Sequence, residues 1–258
     1  MLKAVIFDQD GVLADTERDG HRVAFNRAFR AFDIDITWDV ETYKELLKIG
    51  GGKERIRHYI IREGLEAKFP DLDGLINKLH ERKTEIFTEL IETGQIALRP
   101  GVKHLIRQIH AAGLKLAVCS TSNKKAVHTL VRTLLGEEIY GWFDCILAGD
   151  IVKRKKPDPE IYHLVSAQLG VAPGECIVIE DNHNGLMAAT GAGMPCLVTV
   201  NDYTKDEDYH EAQLVLSCLG DPAGDPTTEQ AVILSGKRSQ EILFQGYVTV
   251  PLLSKLIE

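Results

Sequence analysis

Paired cysteines, long apolar stretches and an excess of positive charge are all missing from this chain. The five cysteines (Cys119, Cys145, Cys176, Cys196 and Cys218) make no CxxC pair, and most sit inside apolar runs such as LAVCS and CIVIE. An odd, scattered, embedded set argues for reduced core thiols, against a disulfide framework or a zinc site. No apolar stretch has the length of a membrane span. The formal net charge is -8, so the overall field repels nucleic acid and anionic membrane surfaces, and neither is expected as a partner. No internal repeat or low-complexity tract is visible. The opening MLKAVIF runs directly into a strand pattern, so no secretory leader is expected. The expected setting is cytoplasmic, or a plastid if the source is a plant or alga. With 44% hydrophobic and 26% charged residues, the 258-residue chain reads as one or two ordinary globular domains, expected to be monomeric.

What is present is a series of short Val/Ile/Leu-rich runs, each closing on a polar residue. They are AVIFD to Asp8, LKLAVCS to Ser120, CILAGD to Asp150, CIVIED to Asp181, CLVTVN to Asn201 and AQLVLSC to Cys218. Continuous apolar runs of this length suit strands buried on both faces. Helical patterns lie between them. GVKHLIRQIHAAG has Val102, Leu105, Ile106 and Ile109 on one face and Gly113 as a stop; SNKKAVHTLVRTLLG opens on Ser122 or Asn123 as a cap; DPEIYHLVSAQLG ends at Gly170. The alternation predicts an α/β fold, a Rossmann-like doubly wound parallel sheet. Ligands bind such sheets beyond the carboxyl ends of the strands, where the closing polar residues would converge. Residues 17–92 break the alternation and read as helices throughout, a small helical cap domain inserted into a discontinuous core of residues 1–16 and 93–258. The segment from GDPAGDPTTEQ onward reads as a packing tail.

The strand end VIFDQDGVLADTE carries Asp8 and Asp10 two residues apart. A carboxylate can attack phosphorus or bind Mg²⁺, and a second carboxyl nearby can give a proton to the leaving oxygen and then take one from water. That division of labour needs Asp10 protonated while Asp8 is ionised. The plain alternative is a solvated turn. VKRKKPDPEIY packs four cations before two prolines. Lys156 beside Pro157 is the candidate for holding a phosphoryl oxygen, whereas Lys153, Arg154 and Lys155 read as a solvated loop. Ser120 and the amides of Thr121 and Ser122 sit at a helix start, where they would receive phosphate or simply cap the helix. Glu180 and Asp181 form a second acid pair at a strand end and are the natural remaining metal ligands.

In this order, FDQDGVLADTE, VCSTSN, KKPDPEIY and VIEDNHNGLMAAT resemble the four motifs of the haloacid dehalogenase-like hydrolases. The resemblance implies Asp8 as nucleophile and Asp10 as general acid/base, with Ser120 and Lys156 binding the transferred phosphoryl group. It implies Mg²⁺ held by Asp8, the main-chain carbonyl of Asp10, and Asp181, with Glu180 alongside. Two positions depart from the commonest pattern. Gln9 is expected to point away from the acids, and Asn182 stands where Ser is usual but can equally cap the next helix.

In KIGGGKERI, Gly50, Gly51 and Gly52 precede Lys53. Freed backbone amides beside a lysine make a second anion site, or the stretch is a flexible linker. Together, DTERDGHRVAFN, YKELLKIGGGKERI and LHERKTEIF resemble the CbbY subgroup, implied to hydrolyse xylulose-1,5-bisphosphate, an inhibitory by-product of Rubisco. That match makes Glu17, Tyr43, Lys53 and Lys83 substrate contacts, with Lys53 on the distal phosphate; Arg55 and Arg82 read as solvated helix charges. The expected partner is a small phosphorylated sugar. The rival enzyme is a β-phosphoglucomutase-like isomerase, whose relatives look to a histidine four residues after the motif's Thr. Here His21 follows Thr16 by five, which on an α-helix would rotate it by about 100°.

Overall fold

A computed structural model describes every residue except Gly50, Asp150 and 224–228. The chain divides into two compact units, Thr16–Ile96 and Met1–Asp15 with Ala97–Glu258.

The first unit is helical: α1 (Arg22–Ala31), α2 (Val40–Leu47), α3 (Gly52–Arg62) and α4 (Leu72–Glu92). Asp39 and Asp71 cap α2 and α4, accepting from the amides of Thr42 at 2.7 Å and Gly74 at 2.9 Å. Its centre is aromatic, with Phe25, Phe29, Trp38 and Tyr43 buried together and the Phe25 and Trp38 rings 4.8 Å apart. Ahead of α1, Thr16–His21 forms a π-helical turn. Such a turn closes on the fifth residue rather than the fourth. The additional residue between Thr16 and His21 is therefore absorbed, and the expected rotation of His21 does not occur. The sequence argument assumed α geometry, and a single-turn π-bulge is invisible to it.

The second unit holds a seven-stranded sheet: β1 (Ala4–Phe7), β2 (Lys115–Cys119), β3 (Cys145–Leu147), β4 (Cys176–Glu180), β5 (Cys196–Thr199), β6 (Leu214–Leu216) and β7 (Ile233–Ser235), in the order β3-β2-β1-β4-β5-β6-β7. β1 to β6 are parallel; β7 pairs antiparallel with β6, so the sheet is mixed rather than wholly parallel. That edge strand comes from the tail, which also supplies α9 (Val250–Leu256) with Leu252, Leu253 and Leu256 in the core.

Helices cover both faces. α5 (Val102–Ala111) and α6 (Lys124–Tyr140) pack on one, and α7 (Glu160–Leu169) and α8 (His183–Gly191) on the other. α5 buries Val102, Leu105, Ile106 and Ile109, the stripe its periodicity predicts. Asn123, not Ser122, caps α6. α6 does not stop at Gly136; the chain kinks there and the helix resumes to Tyr140.

Register places the site. Phe7 lies level with Val118 of β2 on one side and Ile179 of β4 on the other. The order in which strands are added reverses at β1, with β2 and β3 laid to one side and β4 to β6 to the other, so a crevice opens where the ends of β1, β2 and β4 stand side by side. Side chains alternate along a strand. Ile6 and Val178 face the α7–α8 layer, so Asp8 and Glu180 continue onto that face.

Candidate active site

Lys156 enters from the segment before α7, and Tyr162 from the helix itself. The Lys156 ammonium donates to Asp8 Oδ1 at 2.6 Å, Glu180 Oε1 at 2.7 Å and the Cys119 carbonyl at 3.0 Å. It also sits 5.0 Å from the Tyr162 ring centroid, and the Tyr162 hydroxyl donates to the same Glu180 oxygen. Glu180 is fully buried, and a Cβ at Gly185 would lie 2.0 Å from its carboxyl carbon, so glycine is required there. Glu180 thus engages Lys156 and Tyr162 through one oxygen.

Asp10 lies across the β1–β2 gap. Ser122 Oγ donates to its Oδ2 at 2.5 Å and Ser120 Oγ at 3.3 Å, while Ser120 Oγ accepts the Ser122 amide at 3.1 Å. Gln9 does not point away as expected: its buried amide lies 3.5 Å from Asp10 Oδ1. Thr121 lies apart from this group, lining a cavity of about 520 Å³ with Lys124 and Lys155.

Asp181 receives the side-chain amides of Asn182 at 2.6 Å and Asn201 at 2.8 Å, one on each carboxylate oxygen. Asn182 also caps α8 through Gly185. Gly11 takes the left-handed conformation, φ +84°, and a Cβ there would fall 2.0 Å from Asp181 Oδ2.

Oxygens of Asp8, Glu180 and Asp181 lie within 4.8 Å of one another. Burial pushes the Asp8 carboxyl up to about 8, against the pull of Lys156 and with help from the charges of Glu180 and Asp10. Burial likewise raises Asp181, reinforced by Asp8 and Glu180. On Lys156 burial acts against the charge, but the two carboxylates outweigh it and hold the ammonium above its ordinary value. Were all three carboxyls ionised, one ammonium would leave two surplus negative charges in a buried pocket, which is why burial raises Asp8 and Asp181. A divalent cation offsets that surplus, and hard carboxylate oxygens are the donor set it takes. The residues fit a metal of this kind.

The helical unit buries a lysine instead. Lys83, buried on α4, lies 2.9 Å from His21 Nδ1, with the Phe25 and Phe87 rings about its ammonium. His21 stacks on Phe87 at 3.9 Å. Burial depresses the His21 imidazole well below its ordinary value, as do Lys83, Arg55 and His80. The Tyr43 hydroxyl donates to Glu17 at 2.6 Å. Arg55 corrects its reading as a solvated charge: half-buried, it donates to the Ile49 carbonyl at 2.9 Å and to the Tyr43 hydroxyl at 3.3 Å. Arg82, also half-buried, pairs with Glu85 and Glu89. Lys53 is exposed and donates to Asn77 at 2.7 Å. Gly50 and Asp150 lie outside the described residues.

Three residues of the core site had no assigned role in the sequence reading. Asn201 and Tyr162 stood inside quoted motifs, one closing a strand run and the other ending KKPDPEIY. Arg99, in LRPGV, carries no sequence signal at all.

Comparison with known proteins agrees with this constellation. The family model for haloacid dehalogenase-like hydrolases matches residues 2–193. A CBBY-like protein of Arabidopsis thaliana is 51% identical over 223 residues, covering 85% of this chain and 70% of that protein. A phosphorylated carbohydrates phosphatase of Thermotoga maritima is 36% identical over 194 residues, 75% of this chain and 82% of the relative. The crystal structure of a mutant CbbY from Rhodobacter sphaeroides in complex with xylulose-(1,5)bisphosphate is 41% identical, with a TM-score of 0.69 over 84% of this chain and 95% of that one. No described helix is long and apolar enough to cross a membrane. An aspartate pair, a lysine and a second acid pair on one strand-end crevice, matched over most of the chain, place it among the haloacid dehalogenase-like hydrolases, in their CbbY-like group, as a phosphatase.

Proposed function

We propose that the chain is a Mg²⁺-dependent phosphatase of phosphorylated sugars, with xylulose 1,5-bisphosphate as substrate and protection of Rubisco as its role. The observation that carries the chemistry is Asp8, 2.6 Å from Lys156 and sharing a buried carboxylate cluster with Asp181. Mg²⁺ would be held by Asp8, Asp181 and the main-chain carbonyl of Asp10, with Glu180 beside it. When bound, it supplies positive charge between an anionic nucleophile and an anionic phosphate. An Asp8 oxygen attacks phosphorus, the bond to the sugar oxygen breaks, and Asp10 gives that oxygen its proton. Asp10 then takes a proton from water as the water oxygen attacks the aspartyl phosphate. Phosphate leaves and the Asp8 carboxylate is restored. Lys156 and Ser120 hold the phosphoryl oxygens during transfer. The hydroxyls of Ser120 and Ser122 and the amide of Gln9 fix the Asp10 carboxyl in place.

Selectivity is proposed to reside in Glu17, Tyr43, Lys53 and Lys83 of the helical unit, together with Thr121 and Ser122. Support comes from the bisphosphate bound by the Rhodobacter relative and from the buried Lys83 and half-buried Arg55 of this unit. A phosphate-release screen with Mg²⁺ over pentulose and hexose mono- and bisphosphates tests the reading. Xylulose 1,5-bisphosphate should give the highest kcat/KM. Release from no sugar phosphate would end it.

One observation favours a second reading. The π turn keeps His21 on the face of Thr16, so the offset from the isomerase pattern no longer counts against phosphoryl transfer between sugar hydroxyls. Interconversion of glucose phosphates without phosphate release would establish that activity instead.

A further inference from the structure

Asp181 closes the carboxylate cluster, yet nothing in its own strand fixes its side chain. Its two oxygens offer about four lone-pair sites. Asn182 occupies one site on Oδ1 at 2.6 Å and Asn201 one on Oδ2 at 2.8 Å. Asn201 comes from the end of β5, twenty residues further on, and its own Oδ1 accepts the Tyr203 amide at 2.9 Å. On the other flank lies the backbone of Gly11, close enough to exclude any side chain.

Both flanks are tied to one group. The Arg99 guanidinium is buried where β5 and β6 end. It donates to the carbonyls of Gly11, Thr199 (3.1 Å), Val200 (2.6 Å) and Ser217 (3.0 Å), and its Nε lies 3.5 Å from the Asp15 carboxylate. Of these partners, Gly11 stands against Asp181, and Val200 is bonded directly to Asn201. A planar fork of five donors can hold four carbonyls and a carboxylate at once; an ammonium on a flexible stem cannot.

We propose that Arg99 and Asn201 are positioning residues: Arg99 clamps the Gly11 and Val200 backbones, and Asn201 thereby holds the Asp181 carboxylate in the orientation in which it faces Asp8 for a divalent cation. The inference rests on the phosphatase reading, but it can fail separately.

The test is titration calorimetry of MgCl₂ into the full chain without substrate, alongside kcat and KM on xylulose 1,5-bisphosphate. Asn201→Ala and Arg99→Lys should each weaken Mg²⁺ binding by about 10–100-fold, the usual consequence of removing a partner of a ligating group. At limiting Mg²⁺, kcat should fall while KM stays put, and excess Mg²⁺ should restore most of the kcat of Asn201→Ala. A purely structural role would lower the melting temperature and leave the Mg²⁺ Kd unchanged. Should Arg99→Lys fail to fold, Asn201→Ala decides alone, because it deletes one amide and no buried charge. Folded variants that bind Mg²⁺ as tightly as wild type would overturn the proposal and leave the phosphatase reading intact. Wild-type protein that takes up no Mg²⁺ would overturn the metal-dependent reading and this proposal with it.

Discussion

The two units bury charge of opposite sign, and by different means. In the core, strand ends bring three carboxylates together, two of them on one lysine, and parallel register sets their positions. In the helical unit, Lys83, His21, His80 and Arg55 act on one another, supported by helices around an aromatic centre. A buried negative cluster demands a cation, and the Lys83 ammonium and Arg55 guanidinium beside neutral imidazoles suit an anionic ligand. On the proposed reading, chemistry and selectivity are assigned to separate scaffolds. A sheet edge fixes atoms to within a hydrogen bond, whereas helix faces let the ligand-facing residues vary without disturbing the register of the catalytic strands.

The strongest way to break this division is Asp8→Asn. If the core alone performs the chemistry, phosphate release should drop by at least about 1,000-fold on every sugar phosphate, measured by single-turnover assay. Residual turnover near wild type would place the chemistry elsewhere.

Lys156→Met sharpens the electrostatic side. The ammonium is the shared partner of two buried carboxylates, and its removal strands both. The unfolding free energy should fall by roughly 3–5 kcal/mol in urea titration at neutral pH. Added Mg²⁺ should return part of that loss, because it binds the folded cluster and not the unfolded chain.

Lys53→Ala probes the helical unit. KM should rise by roughly tenfold for bisphosphates and stay near wild type for monophosphates, with kcat little changed. Equal effects on both substrate classes would remove the idea of a second phosphate anchor.

The smallest expected effect is on pH dependence. His21 is held neutral in the folded state, and burial also lowers His80. Unfolded imidazoles titrate near about 6.5, so below that pH the unfolded chain binds protons that the folded chain does not. Stability must therefore rise with pH in this window and fall as pH drops below it. His21→Gln should flatten that slope in chemical denaturation from pH 5 to 7; an unchanged slope would show that His21 takes up its proton in the folded state.

How much of this could be read beforehand differs by residue. Asp8, Ser120 and Asp181 were legible because each closes an apolar run, and a parallel sheet brings such closures together. Lys156 was legible from its place before a helix entered through proline. Arg55 was misread because helical periodicity says which face a residue occupies, not that a tyrosine hydroxyl and a loop carbonyl wait there. Gln9 was misread for a related reason: past the last paired residue of β1, strand alternation no longer fixes where a side chain points. The antiparallel β7 was hidden in a Pro/Gly-punctuated tail whose apolar piece, VILS, is too short to declare its direction.

By itself, then, the sequence determined the local structure: which runs become strands, which stripe of α5 is buried, where Asn182 starts a helix. These depend on alternation, helical period and capping, all confined to a few neighbouring residues. Tertiary structure alone decided that Lys156 meets Asp8 across 148 residues and that Arg99 reaches Ser217 across 118. Those contacts follow from strand order and register, which arise when the whole core packs, and no short stretch of chain encodes them.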